Sequence, residues 1–446
     1  MNVFFRCALC TTFVMAVFVI TVPPVFAQPL LNIDHAIHIA QENDPWLDGS
    51  RFRQEATESE SIAAGALPDP TVSIGFANVP IDSFDIGQEP MTQLMVGVGQ
   101  VFPRGTTRSL RRQQLLETSA QQPLMRLDRR AKVAVLVSQL WLESFRYNET
   151  IRLIEQDRSL FNYLADVAES AYSNALARTS QQDVIRAQVE LTRLDDRLVS
   201  LHQQQEIALE KLTEWLPQSE LTSFQISNEL PDFSVSHVEP VSALSESELT
   251  EVLLGHPKLK ILDQTIQINS TGVALAEQKY KPQWGLNASY GYRDDDPSGS
   301  DRADFFSIGI SFDMPLFTGN RQDKQVQAAI ALQEATKTDK VLMLRGMQAS
   351  LDSSLSALEQ MDQRIALYEG RLLKEVHDQA EASLNAYTND NGDFAEVMRA
   401  RIAELNTHVD FLNIRIDRLK TIAEINYFFT RTEPDTQGVS AQIGVL

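Results

Sequence analysis

The chain has 446 residues, with 39 lysines and arginines against 60 aspartates and glutamates, and its formal net charge is −21. A chain this acidic lacks the surplus of basic side chains that a nucleic-acid backbone requires, so we exclude nucleic acid as a partner. Both cysteines, Cys7 and Cys10, lie near the amino terminus, which leaves the rest of the chain without disulfides or thiolate metal sites.

The amino terminus predicts a secretory signal peptide over residues 1–27. Arg6 precedes an apolar run over residues 8–22, and residues 25–27 form a small-residue cleavage site without a cysteine for lipidation. The run is short and ends at two prolines, which disfavours the alternative of an uncleaved membrane anchor. No later run of 18 apolar residues occurs, so a membrane location would have to rest on strands.

Alternation of apolar with small or polar residues predicts two strands, near residues 70–79 and 92–102. The apolar positions are Val72, Ile74, Phe76, Leu94, Val96, Val98 and Phe102. Alternation over about ten residues is typical of a membrane-spanning strand with one lipid-facing side. Half-buried strands of soluble proteins alternate in the same way, so this stretch alone leaves both alternatives open.

The sequence predicts a long helix over residues 106–174. Its length would be on the order of 100 Å at 1.5 Å per residue, and Pro123 would bend it or divide it. Apolar residues at heptad spacing continue through it and through the helix that follows a turn at residues 173–182. The clearest are Val133, Val137, Leu140, Ile151, Ile154, Phe161, Ala187, Leu191, Leu194, Leu198 and Leu212. A heptad pattern of this length predicts coiled-coil packing. Residues 217–245, which carry three prolines, predict a connector.

The second half of the chain repeats the first. Three prolines recur at a constant displacement of 212 residues: Pro45, Pro70 and Pro103 correspond to Pro257, Pro282 and Pro315. Alternating segments near residues 283–292 and 304–314 predict two further strands, and a second helical hairpin turns at residues 388–393. We therefore divide the chain into a first repeat (28–216), the connector (217–245), a second repeat (246–430) and a tail (431–446).

Four strands cannot close a barrel, and an open sheet edge in lipid costs several kcal/mol for each unpaired backbone group. Two copies would give eight strands, a barrel that side chains fill, whereas three copies give twelve and leave a lumen. The sequence thus predicts a homotrimer of mixed α and β structure. Its mainly α-helical coiled-coil barrel would continue from a transmembrane β-barrel to which each two-repeat protomer contributes four strands.

Several short motifs occur in a fixed order, some of them in both repeats. They are Asn43-Asp44-Pro45, Leu67-Pro68-Asp69-Pro70, Gly99-Gln100-Val101-Phe102-Pro103, Asp183-Val184-Ile185-Arg186-Ala187, His256-Pro257 and Met314-Pro315. In this order the chain resembles the TolC family of outer-membrane efflux channels, over nearly its whole length after the signal peptide. Residues 67–70 and 91–103 are most similar to the heavy-metal branch of that family.

The resemblance implies a trimeric channel in the outer membrane of a Gram-negative bacterium, with a periplasmic extension and lipid around the barrel. It also implies two partners, a periplasmic membrane-fusion adaptor and an inner-membrane pump of the resistance-nodulation-division type. The exported substrates would be small solutes, with heavy-metal cations favoured, and we expect a polar lumen with an acidic interior. Two alternatives stay open: a type I secretion exit duct, and a periplasmic coiled-coil adaptor without a barrel.

The tips of the two helical hairpins are the candidate functional residues. The resemblance implies adaptor contacts at Asn174, Ala175, Leu176, Ala177, Arg178, Asn391 and Gly392, and a gate at Asp390 and Asp393. Carboxylates at a gate could form a cation-selective ring or close the pore through ion pairs. The alternative is that Asp390 and Asp393 cap the following helix, an ordinary role for aspartate at that position.

No motif for bond-making chemistry or for a bound cofactor is present. The seven histidines are scattered, and only His35 and His38 share a helix face, so we expect no zinc site. Residues 294–299 begin like a calcium loop, but Phe305 stands where a bidentate glutamate is required. We therefore predict a non-enzyme without cofactor or metal.

Overall fold

The protein is described by a computed structural model that covers residues 30–173, 181–217, 225–226, 230–231, 245–389 and 392–431. The predicted signal peptide, most of the connector and residues 432–446 of the predicted tail lie outside the described residues. The helices, numbered in chain order, are α1 (Ile33–Glu42), α2 (Pro45–Gly65), α3 (Thr107–Ser119), α4 (Gln121–Ser173), α5 (Gln181–Leu212), α6 (Glu246–Leu254), α7 (Pro257–Glu277), α8 (Gln322–Leu367), α9 (Leu373–Thr388) and α10 (Phe394–Phe428). The strands are β1 (Leu30–Leu31), β2 (Thr71–Ala77), β3 (Gln93–Phe102), β4 (Gln225–Ile226), β5 (Trp284–Tyr292) and β6 (Phe305–Phe312).

Four of the strands form one antiparallel sheet in the order β2-β3-β5-β6. The register aligns Val72 with Val98, Val98 with Ala288, and Ala288 with Ile308, so the even-numbered residues of all four strands share one face. The predicted four-stranded arrangement is confirmed, although β2 and β6 are shorter than the alternation suggested. The two repeats meet at the pairing of β3 with β5.

The helices continue the row of strands as four columns. Near the sheet, α3 packs between α2 and α7, and α8 packs against α7. Further from the sheet, α4 packs against α5 and α10, and α10 packs against α8 and α9. Two columns therefore each consist of two helices that follow one another along the chain, α3 with α4 and α8 with α9. Each of the other two columns consists of two helices placed end to end. Helix α2 lies nearer the sheet and α5 further from it in one column, and α7 lies nearer the sheet and α10 further from it in the other.

The first long column is divided just before Pro123, as predicted. Helix α3 ends at Ser119 and α4 begins at Gln121. Pro123 therefore lies in the first turn of α4, where a missing backbone N–H breaks no intrahelical hydrogen bond. The corresponding column of the second repeat has a different irregularity, a π-helical segment at Tyr368–Leu372 between α8 and α9. There the Tyr368 ring stacks on Phe411 of α10, with the ring centroids 6.0 Å apart.

The heptad positions predicted for α4 and α5 are buried in interfaces between helices. Ile154 and Phe161 of α4, Ala187 of α5, and Met398 and Leu405 of α10 belong to one buried cluster. This cluster joins the two hairpins of the protomer, because α10 belongs to the second repeat. Burial of apolar side chains along such a seam supplies most of the stability of a long helix in water.

A second core lies where the hairpins approach the upper helices. Trp141 is fully buried, stacks on Phe145 with centroids 5.6 Å apart, and donates a hydrogen bond from Nε1 to the Leu31 carbonyl at 3.1 Å. Leu31 belongs to β1, which pairs in parallel with β4 of the predicted connector. The start of the described chain and the connector are thus fixed to the same point on α4.

The junctions between stacked helices use equivalent positions in the two repeats. Asp44 caps α2 by accepting from the Trp46 N–H at 3.0 Å, and Arg129 of α4 pairs with the same carboxylate at 2.7 Å. His256, displaced by 212 residues, caps α7 by accepting from the Lys258 N–H at 3.1 Å. Its Nε2 lies 3.0 Å from the carbonyl oxygen of Tyr427, at the end of α10. The imidazole therefore links α7 to α10 directly.

Stability should depend on the protonation of His256. Its Nδ1 must accept a hydrogen bond, so only the neutral Nε2–H tautomer satisfies both partners, and burial lowers the pKa of His256 below its ordinary value of 6.5. A lowered histidine pKa contributes stability that is present above about pH 6.5 and is lost as the pH falls toward the folded value. Thermal unfolding followed by circular dichroism between pH 7.5 and 5 should show a steeper loss for the native chain than for His256→Gln. Equal slopes would contradict this role.

Candidate conduit wall and hairpin tips

The apolar face of the sheet is uncovered. Ile74, Ile308 and Ile310 are each about 70% exposed, and Val72 and Phe306 are similarly open. Soluble proteins rarely expose a contiguous apolar surface of four strands. A face of this kind requires lipid or another apolar surface against it. Of the helices in the part of the chain that the structure describes, none is both long and apolar enough to cross a membrane.

The opposite face of the sheet is small and polar. A Cβ atom at Gly97 would lie 2.7 Å from Ser73 Oγ, and one at Gly285 would lie 2.6 Å from Ser311 Oγ, so side chains of neighbouring strands lean over these glycines. Glycine in a strand marks a position where another group comes close to the backbone. Crowding of this kind suits the inner side of a curved sheet, where side chains converge.

Aromatic residues lie at both ends of the apolar face. At the helical end, Trp284 pairs in register with Phe312 at a ring distance of 4.9 Å, and Phe102 pairs with Trp284 from the other side. At the loop end, Tyr290 pairs with Phe306. Two aromatic belts separated by aliphatic residues are typical of strands that span a bilayer.

The junction between sheet and helices is tightly fixed. Gln278 accepts a hydrogen bond from the Thr106 N–H at 3.1 Å, and Arg104 donates to the Lys281 carbonyl at 2.7 Å and pairs with Asp313. Gly105 has φ +44°, and a Cβ there would lie 2.5 Å from Gln278 Oε1. The positive φ and the close side chains favour glycine at this turn, which starts α3 immediately after β3. The helical column that begins with α3 therefore continues directly from strand β3.

Most of the predicted tip residues lie outside the described residues. This applies to Asn174, Ala175, Leu176, Ala177 and Arg178 of the first hairpin, and to Asp390 and Asn391 of the second. The structure places Gly392 and Asp393 at the start of α10. The roles of all the predicted tip residues as adaptor contacts or gate therefore remain predictions.

Gly392 and Asp393 have local structural roles. A Cβ at Gly392 would lie 2.6 Å from the Tyr387 backbone nitrogen, so the turn closes against the end of α9. Asp393 is the N-cap of α10 and accepts from the Ala395 N–H at 3.1 Å. The capping alternative thus describes the Asp393 side chain in this structure, and it leaves one carboxylate oxygen for other partners.

A cluster of charged residues joins α9 to α10 a few turns from the second tip. Arg401 is 7% exposed and pairs with Glu404 at 2.8 Å and with Glu381 of α9 at 2.5 Å. His377 Nδ1 lies 2.6 Å from the other Glu404 oxygen, and this hydrogen bond raises the pKa of His377. Sequence analysis missed the cluster, although the spacings 377–381 and 401–404 place each pair on one helix face.

Metal-binding side chains do not gather in this region. Within the described residues, no group of three or more His, Cys, Asp or Glu side chains could hold a metal ion. The charged cluster around Arg401 is instead a set of ion pairs that neutralise one another. Its carboxylates are occupied by Arg401 and His377.

The fold is shared with solved outer-membrane channels. The chain is similar to the outer membrane protein VceC from Vibrio cholerae, with a TM-score of 0.72, 15% identity and coverage of 90% of this chain and 97% of that one. It is similar to the Campylobacter jejuni CmeC outer membrane channel, with a TM-score of 0.73, 13% identity and coverage of 91% and 87%. CusC, solved in a study of folding and transmembrane channel formation, gives a TM-score of 0.71, 12% identity and coverage of 90% and 92%.

No family model matches the sequence, and no curated protein matches it significantly. At identities of 12–15% the structural similarity establishes the fold alone. The predicted fold class is confirmed: long helical columns continue from a small antiparallel four-stranded sheet, as in the TolC-like channels.

Proposed function

We propose that this protein is the outer-membrane channel of a tripartite efflux pump, and that it conducts small solutes across the periplasm and the outer membrane. The observation that carries the proposal is the four-stranded sheet with one uncovered apolar face and one small, polar face, continued by helical columns. A passive conduit needs such a wall and no reactive group, which supports a function other than catalysis. The inner-membrane pump would supply the energy.

Assembly of three copies is supported by the free edges of the sheet. Among the described residues, β2 and β6 each pair on one side only, so each presents a row of backbone N–H and C=O groups. In lipid those groups need partners, and the β6 edge of one copy can pair with the β2 edge of the next. Three copies give twelve strands, a barrel wide enough for a lumen. We infer a homotrimer, with a periplasmic adaptor and a resistance-nodulation-division pump as further partners.

The similarity of residues 67–70 and 91–103 to the heavy-metal branch favours heavy-metal cations as the substrate class. A conduit needs no metal site of its own, because its substrate can pass through without being coordinated by protein ligands. A strain that lacks this protein should become sensitive to the exported metal and should recover with the native gene. Sensitivity to organic solutes alone would contradict the heavy-metal assignment and leave the channel function standing.

The channel function is tested by reconstitution. Protein extracted from outer-membrane fractions should migrate in mild detergent as a heat-modifiable trimer and should give stepwise conductance in planar bilayers. A water-soluble monomer without conductance would overturn the proposal and favour the alternative, a periplasmic coiled-coil adaptor. Passage of a polypeptide substrate in a secretion assay would favour a type I secretion duct.

Replacing Asp390 and Asp393 together with alanine should raise the single-channel conductance several-fold. We propose that these carboxylates hold the tip closed, so their removal should release it. Asp390→Asn with Asp393→Asn removes the same two charges but keeps side chains that cap helices well, so it should raise the conductance equally if charge, and not the cap, holds the tip closed. Unchanged conductance in the double alanine variant would limit Asp393 to its capping role.

A further inference from the structure

A cavity of about 510 Å³ lies where the sheet meets the helices. It is bounded by the starts of α3 and β5 and by the ends of α7 and β3. The charged side chains on its wall are Arg104, Arg111 and Lys279, and no carboxylate belongs to it. In a chain with 60 acidic and 39 basic residues, a wall with three cations and no anion departs from the overall charge balance.

We place the opening of the cavity on the polar side of the sheet from two of its lining residues. Val101 belongs to the odd-numbered series of the polar face, and Gln283, which directly precedes β5, continues that series. Arg111 and Thr107 are one turn apart on α3, and Gly272 and Lys279 are two turns apart on α7, so each helix presents one stripe to the cavity. In the proposed trimer the polar face surrounds the lumen. Arg111 and Lys279 therefore face the lumen too.

Two of the three cations lack an acidic partner. Arg104 pairs with Asp313, which neutralises it. Arg111 donates to the neutral Gln114 at 2.7 Å, and neither Arg111 nor Lys279 forms an ion pair anywhere in the described ranges. Both side chains are exposed, so their charge acts on whatever passes. Each protomer contributes two such cations, which gives six in a trimer.

We propose that Arg111 and Lys279 of three protomers form a cationic collar in the lumen at the junction of sheet and helices, and that the collar binds anionic solutes in transit. This inference rests on the proposed channel. Six like charges around a confined path attract anions and repel divalent cations, an effect that weakens with ionic strength. Guanidinium and ammonium groups suit phosphate, sulfate and carboxylate groups in particular.

The collar bears on the class of solute exported. Anionic or zwitterionic organic molecules would be concentrated at the junction, while bare metal cations would meet a barrier there. The collar is therefore compatible with heavy-metal export only where the metal travels as an oxyanion or as an anionic complex. The net charge of the chain gives no indication of this, because the charge at the lumen depends on which residues face it.

The test uses inorganic tripolyphosphate as the probe and the purified trimer in neutral detergent at about 50 mM salt. Isothermal titration calorimetry should detect binding to the native trimer, and Arg111→Gln with Lys279→Gln should weaken it by about tenfold or more, as expected for the loss of several modest charge interactions. Arg345→Gln with Lys374→Gln removes the same charges from exposed residues of α8 and α9 that do not line the cavity, and should leave binding unchanged.

Planar-bilayer recordings separate this inference from the proposed function. Tripolyphosphate added from the side of the sheet should reduce the conductance of the native trimer but not that of the Arg111/Lys279 variant. A conducting trimer whose tripolyphosphate binding and block are the same in both double variants would overturn the collar and leave the channel intact. Failure to form a conducting trimer would overturn the channel itself.

Discussion

Ile308→Lys should abolish assembly of the proposed outer-membrane trimer. Ile308 lies in the middle of β6, is 69% exposed, and continues the apolar row of Val72, Val98 and Ala288. A lysine on the lipid face near the bilayer midplane costs about 2–4 kcal/mol, and the trimer would bear this cost three times. Fractionation of membranes followed by gel migration without heating should show loss of the trimer band.

The neighbouring residue provides the control. Ser307 lies on the same strand but belongs to the polar face, aligned with Ser289. Ser307→Lys adds the same side chain to the proposed lumen, where water can hydrate it, so the trimer should persist. If both lysine variants assemble equally well, the even-numbered face does not contact lipid and the proposed barrel is wrong.

Trp141→Ala should cause the largest loss of stability outside the sheet. The ring is fully buried, stacks on Phe145, and holds Leu31 through its indole N–H. Truncation of a buried aromatic side chain costs about 3–5 kcal/mol, and here it also leaves the Leu31 carbonyl without its donor. The temperature at which helical circular dichroism is lost should fall by many degrees, and residues near β1 should become accessible to protease.

Tyr163→Ala is the matched control, because Tyr163 lies on the same helix and is 62% exposed. Its removal should change the melting temperature little, as for most surface substitutions. Trp141→Phe keeps the stacking but removes the N–H, so its melting temperature should lie between those of Trp141→Ala and Tyr163→Ala. A melting temperature for Trp141→Ala equal to that for Tyr163→Ala would show that the core around β1 contributes little.

The strands and the seams of the hairpins could be predicted because each depends on a local period. Alternation places Val96 and Ile308 on one face whatever the strand order, and heptad spacing places Leu191 and Leu198 in buried seams. The duplication supported both predictions, since a pattern that occurs in both repeats rarely arises by chance. The pairing of β3 with β5 could not be derived from a period, because it joins segments from different repeats.

The junctions of the columns could not be predicted because their partners are far apart in sequence. His256 contacts Tyr427, and Asp44 contacts Arg129, through geometry that only the folded chain provides. A histidine before a proline gave one usable signal, because the aligned residue in the first repeat, Asp44, is a common helix cap. The proposed cationic collar was likewise hidden from the sequence, since an acidic composition does not indicate which side chains would face a lumen.

The π-helical segment at Tyr368–Leu372 has a consequence for the symmetry of the proposed trimer. A π turn accommodates one more residue than an α turn without ending the helix, and the corresponding helix of the first repeat, α4, is continuous through Ser173. The two hairpins of a protomer are therefore unequal, and the six hairpins of a trimer would alternate between two kinds. Any ring of identical molecules that docks on all six would sit in two different environments, so its own subunits would have to tolerate both.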